Sequence, residues 1–198
     1  MNCENVVVID FETTGFSSQS DRVIEVGAIA LEGNRLTGEF SRLMNPGDFV
    51  PYNITQLTGI NDEMLAEQPR PEDIMPELAD FIGERTIIAH NASFDSKFLQ
   101  AEMERVNLFL DNPVLCTLKL ARRLMPGLPS YSLSSLKNHL SITSKKAHRA
   151  LDDAKATAFL WRHLLEQALA LGDPKKVDLE LLTKAMSVPA SKLPQLFR

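Results

Sequence analysis

A run of aliphatic residues at 6–9, VVVI, ends abruptly in two acids, Asp10 and Glu12. Residues of the β-branched type favour a buried strand, whereas a buried carboxylate is costly unless it reaches water or pairs with a positive charge. Since alternate residues of a strand project on opposite faces, we expect Asp10 and Glu12 on one face and Phe11 on the other. Taken alone, DFETTG also fits a turn, so the acids are either turn residues or ligands of a hard cation.

The pattern of apolar residues predicts strands and helices along most of the chain. Three strands come first, and EGN between the second and third is typical of a hairpin turn. Two further strands follow among helices with apolar residues at helical spacing. The predicted strands are 6–10, 23–31, 35–43, 86–90 and 113–117, and the longer predicted helices are 72–83, 93–106, 117–125, 132–140 and 149–171. This order predicts an α/β fold with a mixed five-stranded sheet and helices packed on it.

Length and composition favour a single globular domain, at residues 1–172, followed by a C-terminal helical tail, residues 173–198, that could bind a partner. No apolar run approaches the roughly 20 residues that span a bilayer, which predicts no membrane contact. Cys3 and Cys116 have neither metal-type nor disulfide-framework spacing, and together with the lack of a signal-peptide pattern they favour a cytoplasmic location. The net charge of −5 decides nothing about nucleic acid, because acids that bind metal would be neutralised.

Asp95 lies in the first turn of the helix predicted from residue 93, just after the strand that ends at His90 and Asn91. An exposed acid at this position is favoured by the helix dipole by about 0.3–1 kcal/mol, so its position alone does not require a ligand. For His90 and Asn91 we expect ordinary hydrogen bonds to backbone or loop groups, as is usual for polar residues at a strand end.

His148 and Asp153 are five residues apart, which corresponds to about 140° around a regular helix. They can act together only if His148 lies in the loop before the helix while Asp153 projects from its first turn. A loop histidine suits a general base, because the histidine pKa lies near neutrality. Asp152 points about 100° away from Asp153 and is expected to be a solvated or capping acid.

Together these blocks resemble the three exonuclease motifs of the DEDDh, or DnaQ-like, family of 3′–5′ exonucleases. The motifs are Asp10-x-Glu12, Asp95 within HNASFD, and His148-x4-Asp153 within HRALDDA. The family includes the proofreading epsilon subunit of bacterial DNA polymerase III and ribonuclease T. EVGAIAL and LTGINDEML are also similar to segments of this family, and the resemblance implies a ribonuclease H-like α/β sandwich.

The resemblance further implies a two-metal nuclease that hydrolyses phosphodiester bonds at 3′ ends and releases nucleoside 5′-monophosphates. It implies two Mg²⁺ or Mn²⁺ ions, with His148 as the general base that takes the proton of the attacking water. The implied metal ligands are Asp10, Glu12, Asp95 and Asp153. The residue types agree with this implication, since hard cations take oxygen ligands.

Four further residues are expected to bind substrate. By resemblance, Thr13 and Thr14 border the terminal nucleotide. Phe94 could stack on a base, although its helical spacing equally suits a core position. Arg149 could contact a phosphate, with a solvated basic turn as the alternative.

The expected partner is a nucleic acid with a free 3′ end, single-stranded or frayed. DNA in repair or proofreading is favoured; RNA or oligoribonucleotide ends, and a non-catalytic interaction module on the same fold, are the alternatives. Because the chain is too short to include a polymerase, proofreading would require a separate polymerase as partner. The tail sequence SKLPQLFR weakly resembles peptides that dock into a sliding clamp. The alternative prediction is that this segment folds back onto the core.

Overall fold

A computed structural model of the protein describes residues 5–143 and 148–197. Its sheet has the strand order β3-β2-β1-β4-β5, with β1 at the centre. β1, β2 and β3 are antiparallel neighbours, whereas β4 and β5 continue the sheet in parallel with β1. The strands are β1 (Asn5–Thr13), β2 (Val23–Glu32), β3 (Arg35–Leu43), β4 (Thr86–Ala89) and β5 (Val114–Cys116). The predicted mixed five-stranded sheet is confirmed.

The five longer predicted helices are present in the predicted order, together with two short helices after β3 and two in the C-terminal tail. Their bounds are α1 (Tyr52–Thr58), α2 (Asp62–Leu65), α3 (Pro71–Ile82), α4 (Ser93–Arg105), α5 (Thr117–Leu124), α6 (Leu133–His139), α7 (Ala150–Ala170), α8 (Leu179–Ser187) and α9 (Leu193–Leu196). Pro71 at the first position of α3 and Gly83 after its end show why that helix has these limits, since proline suits a first turn and glycine tolerates positive φ.

Alternation along β1 divides the interior into two cores. The α7-side core, between the sheet and α5–α9, includes Val6, Val8, Ile88, Leu115 and Trp161. The α3-side core, between the sheet and α3–α4, includes Val7, Ile9, Phe11, Leu78 and Phe98. Because side chains alternate, the positions of Asp10 and Glu12 continue the face of β1 that is turned towards α7.

β1 is longer than predicted, and this difference matters for the site. The prediction ended the strand at residue 10, but pairing with β2 continues through Glu12 opposite Glu25, and a bulge follows before Thr13. Backbone pairing across the central strands therefore keeps both acids in the strand. The turn that DFETTG could have formed begins only after Thr13.

The C-terminal helices share the α7-side core. Leu179, Leu182, Leu193 and Phe197 are buried in it. A Cβ built on Gly172 would lie 1.7 Å from the carbonyl oxygen of Phe197, so glycine is needed where the tail crosses the end of α7. Within the described ranges, no helix combines the length and apolarity that crossing a bilayer requires.

Candidate active site

The C-terminal end of β1 supplies the first two acids of the site. Asp10 lies opposite Gly27 of β2, and Glu12 lies opposite Glu25. Both acids are partly buried, while Phe11 between them is buried in the α3-side core. As predicted from strand alternation, the two carboxylates share one face.

Asp95 joins the site from the first turn of α4. It is buried, and its Oδ1 accepts a hydrogen bond from the backbone N–H of Phe11 at 3.2 Å. This bond fixes the start of α4 against the end of β1. An exposed acid that only complements the helix dipole would not be buried in this way.

His148 and Asp153 have the arrangement that their spacing required. His148 is exposed in the loop before α7, with φ of 58°, and Asp153 is buried in the first turn of the helix. The backbone N–H of His148 donates to Asp153 Oδ2 at 2.9 Å. The acid therefore holds the histidine loop directly.

These elements bring the predicted residues together. Glu12, His148 and Asp153 each offer one ligand atom, and these atoms all lie within 4.8 Å of one another, a spacing that could hold a metal ion. Asp10 and Asp95 border this group, since the carboxylate of Asp10 is repelled by those of Asp95, Glu12 and Asp153. We call Asp10, Glu12, Asp95 and Asp153 the acidic cluster.

Burial and mutual repulsion disfavour the ionised forms of several carboxyl groups in the acidic cluster. Burial, followed by repulsion from Asp95 and Glu12, raises the pKa of Asp10 well above its ordinary value. Burial, followed by repulsion from Glu25 and Asp153, raises the pKa of Glu12 to about 8. Burial raises the pKa of Asp95 to about 7, although hydrogen bonds from backbone N–H groups oppose the change.

The partners of these carboxylates are unequal. Asp153 Oδ1 accepts a hydrogen bond from the buried ammonium of Lys137 at 3.0 Å. No hydrogen bond or ion pair from the described residues engages the side chains of Asp10 or Glu12. A convergent set of oxygen donors without enough positive charge fits a hard divalent cation such as Mg²⁺ or Mn²⁺.

Two charged residues of the site were not predicted, Lys137 and Glu25. Glu25 carries a signal in the sequence, because it is the one charged residue within the otherwise apolar VIEVGAIAL. A buried acid in a central strand requires a partner. Lys137 carries no such signal, since a lysine on a short amphipathic helix is ordinarily solvated.

The predicted substrate-binding residues surround the acidic cluster in different ways. Thr13 Oγ1 donates to the carbonyl of Gly15 at 2.6 Å, and Thr14 Oγ1 accepts from Arg22 N–H at 2.9 Å, so both hydroxyls order the loop after β1. Arg149 has its Nε and Nη2 bound to Glu25. Its predicted contact with phosphate therefore stays a prediction.

Phe94 lies between core and surface. Its ring packs on Phe98 with centroids 4.9 Å apart, and it also lines an open groove of about 680 Å³. The exposed Phe16 and Lys97 line the same groove. Phe94 thus packs on a core residue and also reaches the groove, and its predicted stacking on a base stays a prediction.

His90 takes the ordinary role that we expected. Its Nδ1 is 3.0 Å from Thr117 Oγ1 and its Nε2 is 3.0 Å from the carbonyl oxygen of Tyr131. Burial lowers the pKa of His90, which keeps the ring neutral. The ring therefore joins β4 to the α5–α6 region and leaves His148 as the histidine of the site.

The family model RNase_T, described as Exonuclease, matches residues 7–160. The chain therefore belongs to this exonuclease family, as the resemblance implied, and the prediction of a nuclease is confirmed. The epsilon subunit of DNA polymerase III from Aquifex aeolicus is 41% identical over 163 residues, covering 81% of this chain and 80% of the relative.

A second relative is much longer than this chain. The PolC-type DNA polymerase III of Clostridium perfringens is 37% identical over 195 residues, which cover 96% of this chain but only 13% of that protein. The matching part is thus a small portion of a polymerase.

Solved structures confirm the ribonuclease H-like fold. Exonuclease X, in complex with 5′ overhanging duplex DNA, has a TM-score of 0.71 and 26% identity, covering 92% of this chain and 99% of that chain. Exonuclease I of E. coli, in complex with a dT13 oligonucleotide, has a TM-score of 0.75 and 19% identity, covering 85% of this chain and 42% of that chain. The latter likeness concerns the fold alone.

Proposed function

We propose that this protein is a divalent-metal-dependent 3′–5′ exonuclease that acts on DNA and releases nucleoside 5′-monophosphates. The observation that carries the proposal is the acidic cluster, in which partly buried and buried carboxylates converge beside His148. Uncompensated buried charge is costly. Because the chain belongs to an exonuclease family, we infer that these carboxylates are present, despite their cost in stability, because hydrolysis requires them at this site.

The chain's own residues have distinct tasks in this proposal. Asp10, Glu12, Asp95 and Asp153 would hold two Mg²⁺ or Mn²⁺ ions, which when bound supply an activated water and charge stabilisation for the departing 3′ oxygen. The four carboxylates would bind the ions and hold them in position. His148, exposed at the rim beside Glu12 and Asp153, accepts the proton of the attacking water and transfers it to solvent.

DNA is the proposed substrate because of the relatives and the groove. Both relatives compared above are DNA polymerase III proteins, and the exonuclease X structure holds DNA. The groove lined by Phe94, the residue that precedes Asp95, offers aromatic rings from Phe16 and Phe94 and the ammonium of Lys97. Aromatic rings that stack on bases and cations near phosphates are the usual means of binding single strands.

A labelled substrate panel tests the proposal. Single-stranded DNA, frayed duplex DNA and RNA, each labelled at the 3′ or 5′ end, are incubated with Mg²⁺, Mn²⁺ or EDTA. We expect metal-dependent release of 5′-mononucleotides from 3′-labelled DNA, and none from an Asp10→Asn variant. Preferential degradation of RNA would favour the oligoribonucleotide alternative, and inactivity on every substrate would favour a non-catalytic interaction module.

The role of His148 is tested separately. A His148→Ala variant should lose about 10²–10⁴-fold in kcat, the usual range for a general base, while its Mn²⁺ affinity changes little. An equal loss of Mn²⁺ affinity would instead make His148 a metal ligand, which its distance from Glu12 and Asp153 permits.

We also infer a polymerase partner, because the relatives are subunits or parts of DNA polymerase III. The proposed catalytic residues all precede residue 172, so we propose that residues 1–172 form the exonuclease domain and that residues 173–198 are a C-terminal helical tail. A clamp-binding role for that tail would need Leu193 and Phe197 to leave the α7-side core. A pull-down with purified clamp, with and without residues 190–198, tests this role; the cytoplasmic location stays a proposal.

A further inference from the structure

Glu25 is a buried acid next to the acidic cluster that has no place among the predicted ligands. Only 2% of it is exposed, and it lies directly across from Glu12 in the β1–β2 pairing. Its carboxylate accepts three hydrogen bonds from Nε and Nη2 of Arg149, at 2.7–3.2 Å. This two-nitrogen geometry is the strong and directional form of an arginine–carboxylate pair.

The same carboxylate also holds the beginning of α7. Glu25 Oε2 accepts a hydrogen bond from the backbone N–H of Ala150 at 2.9 Å. Two residues further along β2, a Cβ built on Gly27 would lie 2.2 Å from the backbone nitrogen of Leu151, so the strand and the helix start touch through their backbones. β2 therefore fixes the first residues of α7 through both a charge and a close contact.

His148 immediately precedes this fixed point. Its φ of 58° lies in the left-handed region, which non-glycine residues adopt at a cost of about 1–3 kcal/mol unless neighbouring contacts enforce it. The N–H of His148 is held by Asp153, and the next residue, Arg149, is held by Glu25. The exposed imidazole is thus presented by a backbone that is held at the N–H of His148 and, through the side chain of Arg149, at the following residue.

Packing of the central strand alone does not explain why residue 25 is a glutamate. A carboxylate directly opposite Glu12 adds repulsion to a site that is already crowded with acids, and an apolar residue would fill a central strand without that cost. A glutamate here gains most from its contacts with Arg149 and Ala150.

We propose that Glu25 and Arg149 are a positioning pair that aims the imidazole of His148 at the attacking water. The inference rests on the proposed function, in which His148 is the general base. Neither member of the pair takes part in the proton transfer. Removing the pair lets His148 leave its left-handed conformation, so the imidazole spends less time in the productive geometry, which lowers kcat rather than substrate affinity.

The test uses a charge-balanced double variant, Glu25→Gln with Arg149→Gln, which removes the pair without changing the net charge beside the metal site. The matched control removes a second ion pair between α7 and the sheet, Lys155 with Glu39 at 2.8 Å, by Lys155→Gln with Glu39→Gln. Each double variant is also made in a His148→Ala background. kcat, KM for single-stranded DNA and Mn²⁺ affinity are measured for all of them.

We expect the Glu25/Arg149 variant to lose about 10–100-fold in kcat, the range for a displaced catalytic group, with Mn²⁺ affinity within about twofold and a change in KM much smaller than the loss in kcat, since Arg149 is also predicted to contact a phosphate. In the His148→Ala background the same change should cost nothing further, because residues that act as a unit are not additive. In metal-free protein, amide hydrogen exchange over residues 148–153 should accelerate in this variant and not in the control. Arg149→Lys, which keeps the charge but not the two-nitrogen geometry, should show a smaller loss of kcat.

Three results would overturn the inference. The first is a loss of kcat that is equally large in the His148→Ala background. The second is the same loss in the Lys155/Glu39 control, and the third is unchanged kcat in both the double variant and Arg149→Lys. Wild-type activity of His148→Ala itself would instead refute the general base in the proposed function, and the positioning role with it.

Discussion

Buried and partly buried acids near the same end of the sheet form two sites, with Glu102 alone in one and the acidic cluster in the other, and the two sites differ in how the charge is balanced. Glu102 of α4 is 1% exposed and accepts hydrogen bonds from Arg22 Nε at 3.0 Å and from the backbone N–H of Val23 at 3.1 Å. Arg105 pairs with its other oxygen at 3.2 Å. In the acidic cluster, Asp10 and Glu12 have no such partner among the described residues.

The comparison shows that burial of an acid does not by itself indicate a functional site. Glu102 and its arginines join α4 to the start of β2, which is a structural task. The acidic cluster keeps an excess of negative charge that folding alone would not select, because repulsion destabilises the native state. The lack of countercharge among the residues that the structure describes, rather than burial, identifies the place where a cation is expected.

The largest expected effect is a loss of exonuclease activity on changing Asp10, which distinguishes it from Glu102. Asp10→Asn should lower exonuclease activity by about 10³-fold or more, as losses of central catalytic groups do. It should not lower the melting temperature of the metal-free protein, because it removes a repelled charge. Activity assays and thermal unfolding of the same preparation provide the check, and a variant that unfolds at lower temperature would contradict this account of Asp10.

Asp153 is a less suitable position for the same experiment. Asp153→Ala would leave the ammonium of Lys137 buried without its partner, and such unpaired charges are strongly destabilising. Asp153→Asn retains a group that can accept the hydrogen bond from Lys137. Within the site itself, Asp153 therefore resembles Glu102 in having a basic partner, whereas Asp10 has none among the described residues.

Glu102→Ala should give the opposite result to Asp10→Asn. It leaves Arg22 and Arg105 without their buried partner and should reduce the free energy of unfolding by about 3 kcal/mol. Activity per folded molecule should stay within a few-fold of wild type. Urea unfolding gives the first quantity, and an assay well below the unfolding transition gives the second; loss of activity without loss of stability would make Glu102 part of the site.

Gly27→Ala should be the next largest change in stability. A Cβ at this position meets backbone atoms of Ala150 and Leu151 at 2.2–2.4 Å, and backbone cannot move aside as a side-chain end can. We expect a loss of about 2 kcal/mol in the free energy of unfolding, as for overpacked cores, together with reduced kcat. Gly33→Ala, in the open hairpin turn, is the control: its loss should come without a change in kcat.

The smallest expected effect is a dependence on pH in the metal-free protein. The pKa of Glu12 is raised to about 8 and that of Asp95 to about 7, so the folded state binds more protons than the unfolded state between pH 5 and 8. The free energy of unfolding should therefore fall as the pH rises through this range. Glu12→Gln should make this decline shallower, because it removes one of the groups that release a proton in this pH range. Parallel curves for the two proteins, measured in EDTA, would show that Glu12 is not repelled as described.

Much of the site could be predicted because it depends on local geometry. Strand alternation places Asp10 and Glu12 together, and the angular separation along a helix requires His148 to precede α7. The strand end after residue 10 was wrong because pairing of Glu12 with Glu25 depends on β2. The partners of Glu25 and Lys137 could not be predicted, since Arg149 is 124 residues from Glu25 and the ammonium of Lys137 reaches Asp153 only through packing of α6 on α7.

We infer that the carboxylates of the acidic cluster, whose charge no described residue fully balances, bind divalent cations, and a Mn²⁺ titration measures that binding. Electron paramagnetic resonance titration of wild-type protein, Asp10→Asn and Glu102→Gln, each with a nucleoside 5′-monophosphate present, reports the free Mn²⁺. We expect two bound ions in wild type and in Glu102→Gln, and loss of tight binding in Asp10→Asn. Mn²⁺ binding to Asp10→Asn with wild-type affinity and stoichiometry would show that the acidic cluster is not the cation site.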